Sequence, residues 1–521
     1  MLEAVPNSVL SLMPEYVLTL VGVLIMLLEP VMPQGRSRKP LGWLAVAGCL
    51  GAVVLSLWQL HLGILNAFHD SIRVDSFSVF FQVLIGVIAA ATLLSSLDYF
   101  NVEHGYAGEY YALICFGAVG MMLMSCSTEL LMVFVGLEIS SIATYIMAGF
   151  RKGRATSAES SLKYFLLGSF ATAFFLYGIA LTFGATGSTN LTVVAAALTA
   201  TKTPVLAILA IAMIIIGIGF KVSAAPFHVW TPDVYQGAPP PVVGFMSTAP
   251  KAAAFAVLLR ILFSGYAVYQ PRWQVLLAVI SVLSMCIGNL GALLQRDVKR
   301  MLAYSSIAHA GYLIAAFTAL PTDGIAAVGF YSAAYAAMNV GAFIVITMVS
   351  GRDERLRTGE DFSGLALRHP VLGAAFSFFL LSMIGIPFTA GFFSKFYVFT
   401  AVIHTGHMKL AIIGLLNSGV ACFYYLRLIV RVYSQPAGSV AAAPAEYALG
   451  GPLSSAAAVH APEIGSPGIP AYLALAAAAL ATLLLGVAPG RVIAMAQTAA
   501  LATAPSGTAT QQSAYDPTAL R

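Results

Sequence analysis

The sequence predicts an all-α integral membrane protein of about fourteen transmembrane helices, and three observations carry that prediction. Of 521 residues, 59% are apolar and only 9% are Asp, Glu, Lys or Arg, against roughly 25% charged in a soluble globular protein. Apolar runs of about 20 residues recur from end to end, each long enough to cross a ~30 Å hydrocarbon layer as a helix. The mean hydropathy is +0.88. So few charges cannot build a water-facing surface, which excludes a soluble multidomain enzyme.

Polar, Gly and Pro breaks divide the chain into spans near 10–29, 40–61, 75–98, 107–126, 128–149, 158–185 and 204–223. Seven more follow near 240–262, 273–294, 300–319, 324–350, 370–389, 408–433 and 470–490. The start, Met1-Leu-Glu-Ala-Val-Pro, lacks the basic segment of a secretory signal, so the first span is expected to be retained. Ser125-Cys-Ser-Thr-Glu129 splits 107–149 into two helices. The segment 435–469, rich in Ala, Pro, Gly and Ser, reads as a flexible cytoplasmic loop, and 503–521 as an unstructured tail.

Spans 7 and 12 carry signs of interruption. Pro226 follows Lys221 by five residues, and Pro387 and Gly391 precede Lys395. Proline removes a helix hydrogen bond, and irregular backbone at membrane depth is tolerated only where it is buried in protein or lines a wet cavity. The two are five spans apart, so equivalent helices would run in opposite directions, as an inverted repeat requires. The expected organisation is helices 1–3 (1–106), a repeat of helices 4–8 (107–262), its inverted copy of helices 9–13 (263–434), the 435–469 loop, and helix 14 with the tail (470–521).

Basic residues orient the chain. Alternate loops on one side hold Arg36, Arg38, Lys39, Arg151, Lys152, Arg154, Arg296, Lys299, Arg300, Arg352, Arg355, Arg357, Arg368, Arg427 and Arg431, fifteen of the 26 Lys and Arg. The opposite side holds seven: Arg73, Lys202, Arg260, Arg272, Lys409, Arg491 and Arg521. The positive-inside rule then puts both termini outside.

Cys49, Cys115, Cys126, Cys286 and Cys422 form no CxxC pair and no cluster of metal-ligand spacing. No phosphate-binding glycine motif occurs either. Redox chemistry is therefore expected on other chains.

The informative residues are ionisable groups in mid-span: Glu138, Lys221, Lys251 and Lys395. Each costs roughly 2.5–3.5 kcal/mol to insert, so four approach about 10 kcal/mol, comparable with the net stability of a whole domain. Mutual pairing could glue helices together, but three lysines against one glutamate leave positive charge in excess. Burial favours the neutral form of such groups and a nearby opposite charge favours the ionised one, so a lysine whose partner changes can load and release a proton. A row of them linked by water makes a relay. His309, among Tyr304, Ser305 and Ser306, is either a relay group or a satisfied packing residue. Lys163 lies one or two turns inside span 6 and is either a relay group or a snorkelling side chain. Arg427 and Arg431 read as interfacial anchors. His404 and His407 have the i, i+3 spacing of metal ligands but no third ligand, so no metal site is expected.

The segments GFKVSAAPFHVWTPDVYQGAPPPVVGFMSTAPKAAAF (219–255) and QRDVKRMLAYSSIAHAGYL (295–313) closely resemble the antiporter-like subunits of respiratory complex I, the proton-translocating NADH:quinone oxidoreductase. LKYFLLGSFATAFFLYGIAL (162–181) and GIPFTAGFFSKFYVF (385–399) extend the resemblance, which covers all fourteen spans but not the 435–469 loop or the tail. It implies a fourteen-helix fold with two inverted five-helix repeats and broken helices 7 and 12. It implies that Glu138 matches a helix-5 glutamate that modulates a neighbouring lysine, Lys221 a helix-7 lysine, Lys251 a connecting helix-8 lysine and Lys395 the terminal ionisable residue of helix 12. Where the larger subunits of this family have histidines and a lysine in helix 11, this chain has Tyr331, Tyr335 and Asn339, which throws more of the relay onto Lys251 and His309. The long lateral helix of the largest of these subunits is not expected after span 14.

The resemblance further implies a bacterial inner-membrane location with periplasmic termini, and neighbouring membrane-arm subunits and lipid as partners. FMN, iron–sulfur clusters and quinone are implied on other subunits, with no cofactor on this chain and no nucleic-acid partner. A subunit of a multisubunit sodium/proton antiporter is the alternative, and a non-conducting scaffold within the complex is the third reading.

Overall fold

The computed structural model describes residues 7–33, 35–100, 107–151, 153–200, 204–351, 354, 356–435 and 468–503. The expected 435–469 loop and the tail lie almost wholly outside the described residues, as do Lys152, Lys202, Arg352, Arg355 and Arg521.

The chain opens with α1 (Asn7–Ser11), α2 (Met13–Leu28) and α3 (Lys39–Gln59), then a short antiparallel hairpin of β1 (Leu65–Ala67) and β2 (Ile72–Val74). Next come α4 (Ser76–Phe100), α5 (Ala107–Cys126), α6 (Leu130–Ala148), α7 (Ala155–Thr186) and α8 (Leu191–Thr199). The middle of the chain forms α9 (Pro204–Lys221), α10 (Trp230–Gly237), α11 (Pro240–Met246) and α12 (Ala249–Arg260). After them stand α13 (Gln270–Leu293), α14 (Val298–Ala315), α15 (Pro321–Ser350) and the single turn α16 (Leu365–Arg368). The chain ends with α17 (Pro370–Ile384), α18 (Ala390–His404), α19 (Met408–Tyr433), α20 (Ile469–Val487) and α21 (Gly490–Thr503).

Among the described residues twelve helical segments are long and apolar enough to cross a membrane, and the shorter apolar helices α2 and α17 stand at the two remaining expected positions. All fourteen spans are therefore occupied. The hairpin, α8 and α21 were not legible in the apolar pattern, because they are too short to show as a run of about 20 residues.

Local chemistry sets the boundaries. The Ser125–Glu129 break separates α5 from α6, and Glu129 caps α6 by accepting the Met132 amide at 2.8 Å. Asp297 does the same for α14, accepting the Arg300 amide at 2.9 Å. Pro250 has no amide hydrogen and interrupts span 8 at Ser247–Thr248, dividing it into α11 and α12. Gly120 and Gly136 let the backbones of α5 and α6 touch, since a Cβ on either would lie 2.6–2.8 Å from the other's carbonyl oxygen. Helices α11, α12, α14 and α15 are almost wholly enclosed, while α7, α19 and α20 turn most of their apolar surface outward.

Several charges counted as loop residues are buried ion pairs instead. Arg260 is buried in α12, donates to both Asp75 oxygens at 2.9 and 3.1 Å, and lies over the Phe77 ring. Glu354 takes Arg151 at 3.2 Å and Lys299 at 2.9 Å, all three buried, and Arg38 pairs with Glu29 at 3.0 Å. Each pair joins residues that the sequence assigns to one side of the membrane. With Arg38, Arg151, Lys299 and Arg260 set aside as structural, the asymmetry becomes twelve against six and keeps its sign.

Two outcomes follow. Arg260→Met leaves the buried Asp75 carboxylate with Arg73 at 3.6 Å as its remaining charged partner and is expected to lower stability by about 3 kcal/mol, with Asp75→Asn added to it recovering part of the loss; thermal melts in mild detergent check this. Burial pushes the Asp297 carboxyl above its ordinary value, against the opposing pull of the Arg300 amide and Lys299. A raised folded-state value contributes stability that is present below the unfolded value and lost as pH rises through the folded one. Asp297→Asn, which keeps a capping oxygen, should flatten that acid-range slope, whereas Asp297→Ala loses about 1 kcal/mol of capping; melts across the acid range distinguish the two.

Candidate functional site

The first interruption lies at residues 222–229, between α9 and α10. Ser223 takes a positive φ of 61° and the Ala225–Pro226 peptide is cis. Backbone groups released there find side-chain partners. The Ala225 amide donates to Ser284 Oγ at 2.8 Å, and Trp230 Nε1 donates to the Phe220 carbonyl at 3.0 Å. Lys221, the last residue of α9, is only 5% exposed and its Nζ has no hydrogen-bond partner. It sits 5.0 Å from the Tyr145 ring centroid and 5.3 Å from that of Tyr164. The half-buried Glu138 on α6 has a buried Oε1, also without a partner, and its charge acts on Lys221 through space with no ion pair between them.

Aromatic side chains pack beyond Lys221. Tyr164 stacks on Trp230 at 4.3 Å, and the Tyr235 ring lies 6.2 Å from that of Trp230, its buried hydroxyl without a hydrogen-bond partner. Lys251, 3% exposed, donates to Ser306 Oγ at 2.6 Å and to the Ser306 carbonyl at 3.3 Å. The Tyr335 hydroxyl also donates to Ser306 Oγ, at 2.7 Å. A small cavity lined by Lys251, Ser306, His309, Ser332 and Tyr335 has room for about one water molecule.

His309 is buried beside that cavity. Its Nδ1 is 2.8 Å from the Tyr331 hydroxyl and its Nε2 3.5 Å from that of Tyr425, which bonds in turn to Ser305 Oγ. The imidazole ring lies 5.8 Å from the Tyr312 ring, and Lys395 Nζ is 5.3 Å from the centroid of that same ring.

The second interruption, residues 385–389, separates α17 from α18. Gly385 adopts φ 96°, open to glycine at no steric cost, and a Cβ on Gly391 would meet the Ser382 carbonyl oxygen at 1.8 Å. Lys395 donates to the Met383 and Ile384 carbonyls at 3.0 and 2.9 Å and to Ser418 Oγ at 2.8 Å. Its ammonium thus caps the negative end of α17, where the helix dipole favours a cation.

The structure therefore brings together Glu138, Lys221, Lys251, His309 and Lys395. It leaves Lys163 apart: this side chain is 41% exposed and pairs with Glu159 at 2.6 Å and Asp233 at 2.7 Å, the latter also held by Arg300. The four mid-span residues are not glued into ion pairs. The buried carboxylates Asp75, Glu29 and Glu354 are taken by arginines and by Lys299, and Glu15 accepts from Gln82 at 2.9 Å. Sequence reasoning passed over most of the hydroxyl groups, because a tyrosine in a membrane helix scores as apolar. One signal was present: Tyr331, Tyr335 and Asn339, spaced i, i+4, i+8, reach His309, Ser306 and Ser247 in turn.

The family described as NADH:quinone oxidoreductase/Mrp antiporter, transmembrane, matches residues 127–421. The protein named NADH-quinone oxidoreductase subunit N 2 of Koribacter versatilis is 50% identical over 441 residues, 82% of this chain and 88% of its own length. NADH-quinone oxidoreductase subunit N 1 of Solibacter usitatus is 43% identical over 490 residues, 94% and 96% of the two chains. A chain of respiratory complex I from Thermus thermophilus with bound Aureothin superposes with a TM-score of 0.75 at 35% identity, over 93% of this chain and 99% of that one. A chain of the Mrp complex from Dietzia sp. DQ12-45-1b gives 0.80 at 21% identity, over 97% and 99%, a likeness of fold alone.

The Lys251–Ser306 contact has a measurable strength. A hydrogen bond to a charged donor is worth about 1.5–3 kcal/mol, so a double-mutant cycle of Lys251→Met and Ser306→Ala is expected to show a coupling of that size in thermal or denaturant stability. Additive losses would mean that the two groups do not interact.

Proposed function

The chain belongs to the NADH:quinone oxidoreductase/Mrp antiporter transmembrane family, and we propose that it is a proton-translocating, non-redox subunit of the membrane arm of an NADH:quinone oxidoreductase. The observation that carries this is the buried row itself. Lys221, Lys251, His309 and Lys395 are each at most 6% exposed, none forms an ion pair, and hydroxyl and aromatic groups bridge the intervals between them. Relatives named as subunit N of that enzyme at 43–50% identity support the same reading.

In this proposal Glu138 sets the local field at Lys221, because a charge in a low-dielectric interior acts strongly over several ångströms. A change in that field moves a proton between Lys221 and Lys251 by way of the Ser306 hydroxyl and a water in the adjoining cavity. His309, with a phenol near each ring nitrogen, passes it on toward Lys395. Lys163, exposed and paired with Asp233 and Glu159, stands apart from the row and is a snorkelling side chain on the side that the basic loops assign to the cytoplasm. Electron transfer from NADH to quinone belongs to other subunits, which carry the FMN and iron–sulfur clusters. The chain sits in the bacterial inner membrane with both termini periplasmic, against neighbouring membrane-arm subunits, and helices 4–8 and 9–13 are its two inverted halves.

The decisive substitution is Lys251→Arg. Arginine keeps the charge but does not release its proton at any physiological pH. A structural cation would tolerate the change, whereas a relay lysine would not. Assembled complex carrying Lys251→Arg or Lys221→Ala is expected to lose proton pumping and coupled quinone reduction several-fold; normal pumping by the assembled variants would overturn the proposal. A subunit of a multisubunit sodium/proton antiporter is the second reading, because the matching family is described by both NADH:quinone oxidoreductase and Mrp antiporter, and sodium-dependent proton exchange by the isolated protein would select it.

A further inference from the structure

A groove of about 600 Å³ runs between the first turns of α13 and α19. Its walls are Val275, Val279, Val282, Leu283, Leu410 and Ile413, and no carboxylate lines it. Val275, Val279 and Leu283 are 66%, 52% and 41% exposed, so the groove opens on the outer face of the bundle at membrane depth. From Pro271 to Leu283 it follows α13 for about 18 Å of helix rise. That is close to half of the ~30 Å hydrocarbon layer, the depth of one leaflet.

One end of the groove is polar and basic. Gln274, His407 and Lys409 line it, and Arg272 lies beside Pro271 with its guanidinium 5.7 Å from the Tyr269 ring centroid. Arg272 and Lys409 enter no ion pair among the described residues. Both stand in the first turn of their helices, where the macrodipole disfavours a cation, so neither position serves helix stability. They also belong to the sparsely charged side of the chain. Of its seven basic residues Arg260 is buried against Asp75 and Arg73 lies 3.6 Å from the same carboxylate, whereas Lys409 lines this mouth and Arg272 stands one residue from the lining Pro271, neither of them in an ion pair.

We propose that this groove binds an anionic glycerophospholipid, its phosphate held between Lys409, Arg272 and His407 and an acyl chain laid along α13 and α19. Cationic pockets between membrane helices recognise such head groups. Two helix N-termini and two unpaired cations supply the anion site, and the apolar walls match one leaflet in length. The larger apolar groove between α4 and α20 has no such mouth: no basic side chain lines it, and it carries no argument for a particular occupant. The lipid site does not depend on the proton relay.

The test uses the protein purified in mild detergent with the chains that accompany it. Titration with phosphatidylglycerol, followed by native mass spectrometry, should show preference over phosphatidylcholine. Lys409→Ala should weaken phosphatidylglycerol binding about 5-fold and the double variant with Arg272→Ala about 25-fold, with phosphatidylcholine unaffected. Equal binding of the two lipids by the unaltered protein, or unchanged phosphatidylglycerol binding by the double variant, overturns the site. A photoreactive residue in place of Val279, with both cations intact, should crosslink phosphatidylglycerol in preference to phosphatidylcholine, while one in place of the outward-facing Leu166 should not discriminate. Crosslinking of position 279 to a protein chain instead of lipid would show a neighbouring subunit in the groove and overturn the proposal.

Discussion

A hydrocarbon layer offers no water to backbone or side-chain polar groups, and the breaks in the helices of this protein are repaired under that constraint. Regular helices meet it for the backbone. Where the helix stops in mid-membrane, the protein supplies substitutes one by one: Ser284 for the Ala225 amide, Trp230 for the Phe220 carbonyl, and Lys395 for the last carbonyls of α17. The two interruptions are thus solved by different chemistry. At the second the proposed terminal lysine is itself part of the repair, so its ammonium is tied to the local backbone as well as to the row.

The same constraint sorts the charged residues by type. Buried carboxylates are matched mainly with arginine, whose fixed guanidinium suits bidentate pairing and stays ionised in any environment. Three buried lysines are left with hydroxyls, carbonyls and rings. An ammonium can give up its proton where a guanidinium cannot, and weak neutral partners leave it free to do so. Lys299, paired with Glu354, is the exception that fits the rule, because it joins a cluster linking the loops to the end of α10 through the Ala238 carbonyl.

Much of the candidate site was legible from the chain alone. Glu138, Lys221, Lys251 and Lys395 stand out because charge is so scarce around them, and Pro226 and Gly391 mark the interruptions without any coordinates. His309 was ambiguous, since one histidine in an apolar helix is either a relay group or a satisfied packing residue; the phenols of Tyr331 and Tyr425 stand at its two nitrogens, an arrangement that serves both readings. Ser306 was named only as a hydroxyl neighbour of His309. Its importance comes from being met by Lys251 and Tyr335 from two other helices, and no spacing along one strand of sequence encodes that.

Composition and periodicity therefore determined the class of protein, the fourteen crossings and the residues too costly to bury without purpose, because each of these depends on the transfer of a segment or side chain out of water. Which cations are structural and which stand free was decided only in three dimensions. Arg260 and Lys251 lie nine residues apart on α12, the first read from the sequence as a loop charge and the second as a mid-span lysine; both are buried, but one is locked to Asp75 and the other faces a serine and a cavity. Partnership across helices depends on where distant segments pack, and that is a property of the folded bundle.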